Sequence, residues 1–99
     1  MHALKLQARS LVQMRFTIEQ RHLTDGGGKP IAPSDHPVSF HTAEAESADE
    51  AVRIFVKEDG AEVIGNILKF PGFQAVATVR KVSGVYTLQV TPSSSSIRI

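Results

Sequence analysis

The chain contains no cysteine. A disulfide framework, thiol chemistry and cysteine-ligated zinc are therefore excluded. It also has no long apolar run: nothing approaches the roughly 18 consecutive apolar residues that a membrane-spanning helix needs. A soluble, cytoplasmic protein with no membrane association is the expectation. Aromatic residues are scarce, with five phenylalanines, one tyrosine and no tryptophan. Binders of single-stranded nucleic acid need exposed aromatic platforms for base stacking. Here Phe16, Phe40, Phe55, Phe70 and Phe73 mostly occupy apolar-patterned positions, which leaves Tyr86 as the one platform. Blocks of single-sign charge, the mark of an acidic or basic tail, are missing as well.

What is present suits one domain. At 99 residues and 41% apolar composition the chain can bury a single modest core. Its net charge of +1 is unevenly spread. Up to residue 23, Lys5, Arg9, Arg15 and Arg21 face only Glu19. Residues 24 to 60 carry eight acids against Lys29, Arg53 and Lys57, and beyond them Lys69, Arg80, Lys81 and Arg98 face only Glu62. An acidic middle between basic flanks fits either an anionic partner or two ends of one fold attracting each other, and the absence of single-sign runs favours the second.

The strongest local pattern runs from Ser47 to Gly60. Ser47 is placed to accept from the N–H of Glu50, and the Glu50 side chain to reach back to the N–H of Ser47, forming a capping box. Asp49 and Glu50 lie where the helix dipole favours negative charge. Ala48, Ala51, Val52, Phe55 and Val56 recur at helical spacing on one face, and Gly60 supplies a left-handed stop.

Elsewhere the period is two. Met14, Phe16 and Ile18 alternate with polar residues in a strand ending near Arg21, and Val38, Phe40 and Thr42 form a second. Between them, His22 to Pro37 holds three glycines and three prolines and reads as a long loop. After the helix, residues 61 to 70, 73 to 82 and 85 to 91 read as strands joined by two-residue turns at Pro71-Gly72 and Ser83-Gly84. The expected fold is α+β: a single domain in the order ββαβββ, a mostly antiparallel five-stranded sheet with one main helix on one face. The domain spans 14–91. Residues 1–13, which hold no acid, form a leader or short amphipathic segment: a docked helix, an organelle-targeting segment, or an extension ahead of an internal start at Met14. Residues 92–99 read as a flexible serine-rich tail.

The two-residue turns predict a register in which Val79 faces Leu88, Ala77 faces Val90 and Ile64 faces Val79, with Phe55 over Ala75 and Ala77. The opposite face then collects Val63, Ile67, Val76, Arg80, Val82 and Val85. An apolar face of that kind on a small domain marks an interaction surface, and these six residues are the candidate interface. The N-terminal segment is the competing cover. A one-residue bulge at Pro71 would exchange the faces of the third strand.

Motifs with chemistry are few. Gly26-Gly27-Gly28-Lys29 lacks the spacing, the hydroxyl residue and the following helix of a phosphate loop. His22, His36 and His41 are the candidate metal ligands, suited to zinc or nickel if the loop folds back, but their spacing matches no established ligand pattern. No GxSxG turn is present, and the acid pairs sit at helix ends, where solvated capping accounts for them. No catalytic residue and no cofactor is assigned. The leading expectation is a non-enzymatic protein-interaction or assembly domain, a homodimer or a binder of another protein, associating through the outer sheet face. The alternative is weak single-stranded nucleic-acid binding through Arg15, Arg21, Lys69, Arg80 and Lys81. A small metal-dependent enzyme is the third reading.

Overall fold

A computed structural model describes residues 13–32 and 37–93. The expected leader and tail lie almost wholly outside the described residues. The chain folds as β1 (Met14–Asp25), β2 (Val38–Ala45), α1 (Ala48–Asp59), β3 (Glu62–Phe70), β4 (Gln74–Lys81) and β5 (Gly84–Pro92). This is the α+β fold in the expected order. The strands form one antiparallel sheet in the order β2-β1-β5-β4-β3, so β5 is central, β1 lies inside between β2 and β5, and β2 and β3 are the edges.

The helix forms where its caps place it. Ser47 has extended backbone angles and accepts from the N–H of Glu50 at 3.3 Å. The reciprocal bond differs from expectation: the Glu50 carboxylate takes the N–H of Glu46, at 3.0 Å, one residue earlier than Ser47. Gly60 closes the other end at φ 68°, a left-handed angle that costs glycine little, and the N–H of Ala61 reaches back to the Val56 carbonyl. The Ser47 hydroxyl and the Arg53 guanidinium, 2.8 Å away, hold the Asp49 carboxyl below the ordinary carboxylate range.

The stripe of α1 lies on the sheet as its spacing implies. Ala48, Ala51, Val52, Phe55 and Val56 are buried with Phe16 and Ile18 of β1, Ala75, Ala77 and Val79 of β4, and Leu88 and Val90 of β5. The Phe55 ring sits 4.9 Å from that of His41 on β2.

Three boundaries depart from expectation. First, β1 continues past Arg21 to Asp25, because His22 pairs with Tyr86 and, after a bulge, Thr24 pairs with Val85. The glycine run is then the turn that follows, wrapped around the Asp25 carboxylate, which takes the N–H groups of Gly27 and Lys29 at 2.9 Å each. Second, the β4–β5 turn is Val82-Ser83, with Lys81 opposite Gly84. Val79 therefore faces Tyr86 and Ala77 faces Leu88, a slip of two residues that leaves every residue still paired in β4 and β5 on its expected face. Gly84 is required there, since a Cβ would collide with the Thr24 carbonyl oxygen. Third, the β3–β4 turn takes three residues, Pro71 to Phe73, with Gly72 and Phe73 both at positive φ. That odd count inverts β3, as described below.

Ser47→Ala is expected to lower stability by about 1 kcal/mol in urea titration with an unchanged slope. Because the Asp49 carboxyl is held below its unfolded value, its contribution is complete at neutral pH and is lost as pH falls through the native pKa. The cost of Asp49→Asn, about 0.5 kcal/mol at pH 7, is therefore expected to shrink once the pH falls below the ordinary carboxylate range.

Candidate interaction surface

Register assigns each residue to a face. On the helix side lie the even residues of β1 up to His22, the even residues of β5 and the odd residues of β2 and β4; the opposite parity lies on the outer side. Val76, Arg80 and Val85 lie on the outer face as expected. Val82 is instead the first residue of the β4–β5 turn and is 98% exposed at its tip. Val63 and Ile67 are on the helix side, where both pack against the core. The three-residue turn pairs Lys69 with Ala75, and a bulge at Gly65, φ 75°, breaks the ladder between Ile64 and Leu68. Beyond the bulge Val63 faces Val79. A one-residue change in pairing moves a strand's whole apolar set to the other face. The outer positions of β3 are accordingly Glu62, Ile64, Leu68 and Phe70. The signal available in the sequence was Pro-Gly-Phe: a glycine at the second turn position also suits a longer turn.

The outer face is thus threonine- and valine-lined at its centre, with Thr17, Thr78, Thr87, Val76 and Val85. At its margins Phe40 on β2 is 66% exposed, and Leu68 and Phe70 on β3 are 56% and 47% exposed. Among the described residues its six charged side chains form three ion pairs: Arg15–Glu44 at 3.4 Å, Arg21–Glu19 at 3.0 Å and Arg80–Glu62 at 3.2 Å. Exposed pairs of this kind add at most about 1 kcal/mol each to stability. Their larger effect is to leave the face with no net charge. Among the described residues, no helix or strand packs on it.

The basic residues considered for nucleic-acid binding are divided. Arg15, Arg21 and Arg80 are neutralised on the outer face. Lys81 is on the helix side, paired with Asp59 and 4.5 Å above the Tyr86 ring. Lys69 shares that side with Asp49, Arg53, Val63 and Ile67 around an open groove of about 470 Å³. Tyr86, the sole expected stacking platform, is already stacked on His22 with centroids 4.2 Å apart and planes 9° apart.

The candidate metal ligands are not brought together where the structure shows them. His22 Nε2 lies 3.1 Å from the Ser83 carbonyl oxygen. His41 lies further along the same face, 3.0 Å from the Ser39 hydroxyl, which also accepts from the Gln20 amide at 3.3 Å. The Gln20–Ser39 pair stands between the two histidines. His36 lies outside the described residues. Among the described residues, no group of three or more histidine, aspartate or glutamate side chains is arranged to hold a metal ion. No described helix is long and apolar enough to cross a membrane. The buried Gln20 carbonyl oxygen accepts no hydrogen bond, a cost of about 1–3 kcal/mol that the apolar part of the core avoids.

No protein-family model, curated protein or solved structure matches the chain.

The inverted β3 makes a direct comparison. Ile67→Lys, which introduces charge against the core, is expected to cost about 1–3 kcal/mol, and Leu68→Lys less than about 0.5 kcal/mol. Urea unfolding of the two variants checks this. A larger loss for Leu68→Lys would mean that the faces are not exchanged.

Proposed function

We propose that the protein is a non-enzymatic association domain of the cytoplasm that binds a second copy of itself through the outer sheet face. One observation carries the reading: this face combines exposed Phe40, Leu68 and Phe70 with Val76 and Val85 and has all six of its charges paired. A surface whose charges are already neutralised loses little solvation of unpaired ions when a like surface covers it, and apolar area supplies the driving force. Two copies of such a face do not repel one another, as two copies of a net-charged face would. The isologous contact of a two-fold dimer needs a self-complementary surface of this kind.

Sedimentation equilibrium over a wide concentration range tests the reading. The expected result is association through this face that is lost on dilution. Val76→Lys, at an outer position of β4, should weaken it by at least tenfold while circular dichroism and thermal midpoint stay near the parent's. Removing residues 1–12 separates the competing occupant: if that segment covers the face, the shortened chain associates more tightly than the full one. A monomer at every concentration, with or without the segment, would contradict the proposal.

A further inference from the structure

The two edges of the sheet are built differently. Edge strands expose unpaired N–H and C=O groups, and proteins commonly blunt them with prolines, glycines, lysines or bulges. Edge strand β3 has such devices: its ladder breaks at Gly65 and it carries Lys69. Edge strand β2 has none. Its sequence VSFHTAEA lacks proline, glycine and lysine, and it pairs with β1 in unbroken register over eight positions from Val38 to Ala45.

Which groups β2 presents follows from two hydrogen bonds. The N–H of His22 donates to the Pro37 carbonyl at 3.1 Å, which makes this a hydrogen-bonded pair and sets the alternation along β1 and β2. The Ser93 N–H donates to Arg15, so the odd residues of β1 serve β5, consistent with the even ones serving β2. Ser39, His41, Ala43 and Ala45 therefore turn their backbone groups toward β1. Val38, Phe40, Thr42 and Glu44 turn theirs outward, away from every described strand.

We infer that β2 of one copy pairs antiparallel with β2 of a second copy, joining two sheets into one of ten strands. This rests on the reading of the chain as self-associating, and adds a contact separate from the outer face. The alternation restricts the register, because outward-turned residues must meet outward-turned residues. Centring the two-fold axis on His41 uses all four: Val38 exchanges hydrogen bonds with the second copy's Glu44, and Phe40 with its Thr42, about eight bonds in all. Centring on Thr42 loses one of the four pairs and sets Phe40 against Glu44. In the favoured register no like charges are opposed, since each Glu44 faces a valine. The two Phe40 rings are diagonal neighbours about 7–8 Å apart at Cα, within aromatic reach. A strand added from an unrelated protein would meet the same backbone groups, but only a second copy brings this two-fold match.

The cysteine-free chain allows a clean test in the full-length protein. The two His41 Cα atoms would lie about 4.5 Å apart as a non-hydrogen-bonded pair, within disulfide range. Glu44→Cys would place its sulfurs many residues apart. The expected result is that His41→Cys forms a covalent dimer under mild oxidation, that Glu44→Cys forms at least tenfold less, and that Thr42→Pro abolishes cross-linking by His41→Cys. The proline removes an outward N–H and leaves the bonds to β1 intact, and circular dichroism checks that the variant is folded. Cross-linking that persists in a Val76→Lys background supports the edge contact independently of the outer face. If His41→Cys does not cross-link while sedimentation still shows a dimer that Val76→Lys breaks, the edge pairing is wrong and the outer-face reading stands. Equal cross-linking by Glu44→Cys, or cross-linking that survives Thr42→Pro, overturns the edge pairing too.

Discussion

The structure depends on alternation along β1 from Met14 to His22. This strand is interior, between β2 and β5, and its even residues serve two purposes at once: their side chains Phe16 and Ile18 enter the core, and their backbone groups bond to β2. Its odd residues bond to β5 and point their side chains to the outer face. Everything beyond is registered from that strand. Leu88 and Val90 follow on β5, then Ala75, Ala77 and Val79 on β4, and together they make the apolar floor on which the stripe of α1 is buried. Because a side-chain period of two leaves no intermediate position, the same constraint that fills the core also decides what is left outside.

Much of this was legible in the residues, and the exceptions have physical causes. The helix was readable because its caps and its apolar spacing agree from Ser47 to Gly60, and all five stripe residues are buried. The faces of β4 and β5 were readable although their pairing was not, since a slip of two residues preserves alternation. The face of β3 was not readable. Pro71 and Gly72 are compatible with a turn of two or three residues, and only the third residue, Phe73 at φ 59°, distinguishes them. Local sequence gives little sign that a phenylalanine will adopt a left-handed angle, because tertiary pairing imposes it. The extension of β1 to Asp25 was hidden for a similar reason: His22 to Asp25 have no alternating pattern of their own and are held by β5.

That inversion changes the composition of the candidate surface. Val63 and Ile67 leave it for the core, and Ile64, Leu68 and Phe70 take their place. The face remains apolar at its margins, and two of the three ion pairs that neutralise it, Arg15–Glu44 and Arg80–Glu62, became apparent only from the pairing of strands. The same pairing shows that the even residues of β2 contribute twice, with Phe40 exposed on the outer face and its backbone groups exposed at the edge. Among the described residues the sheet is open on one face and unguarded at one edge, which is costly to leave uncovered in a crowded solution. Self-association gives both features a common account, with one copy on the face and another at the edge.

The central claim is that these exposed groups are covered by further copies of the chain, one on the outer face and one at the β2 edge. Amide hydrogen exchange resolved by residue, compared at low and high protein concentration, tests it most directly. The account predicts that the amides of Phe40, Thr42 and Glu44 exchange fast in dilute protein and become at least tenfold slower at high concentration, while those of His41 and Ala43, already bonded to β1, change far less. Exchange at Phe40, Thr42 and Glu44 that is independent of concentration would contradict it.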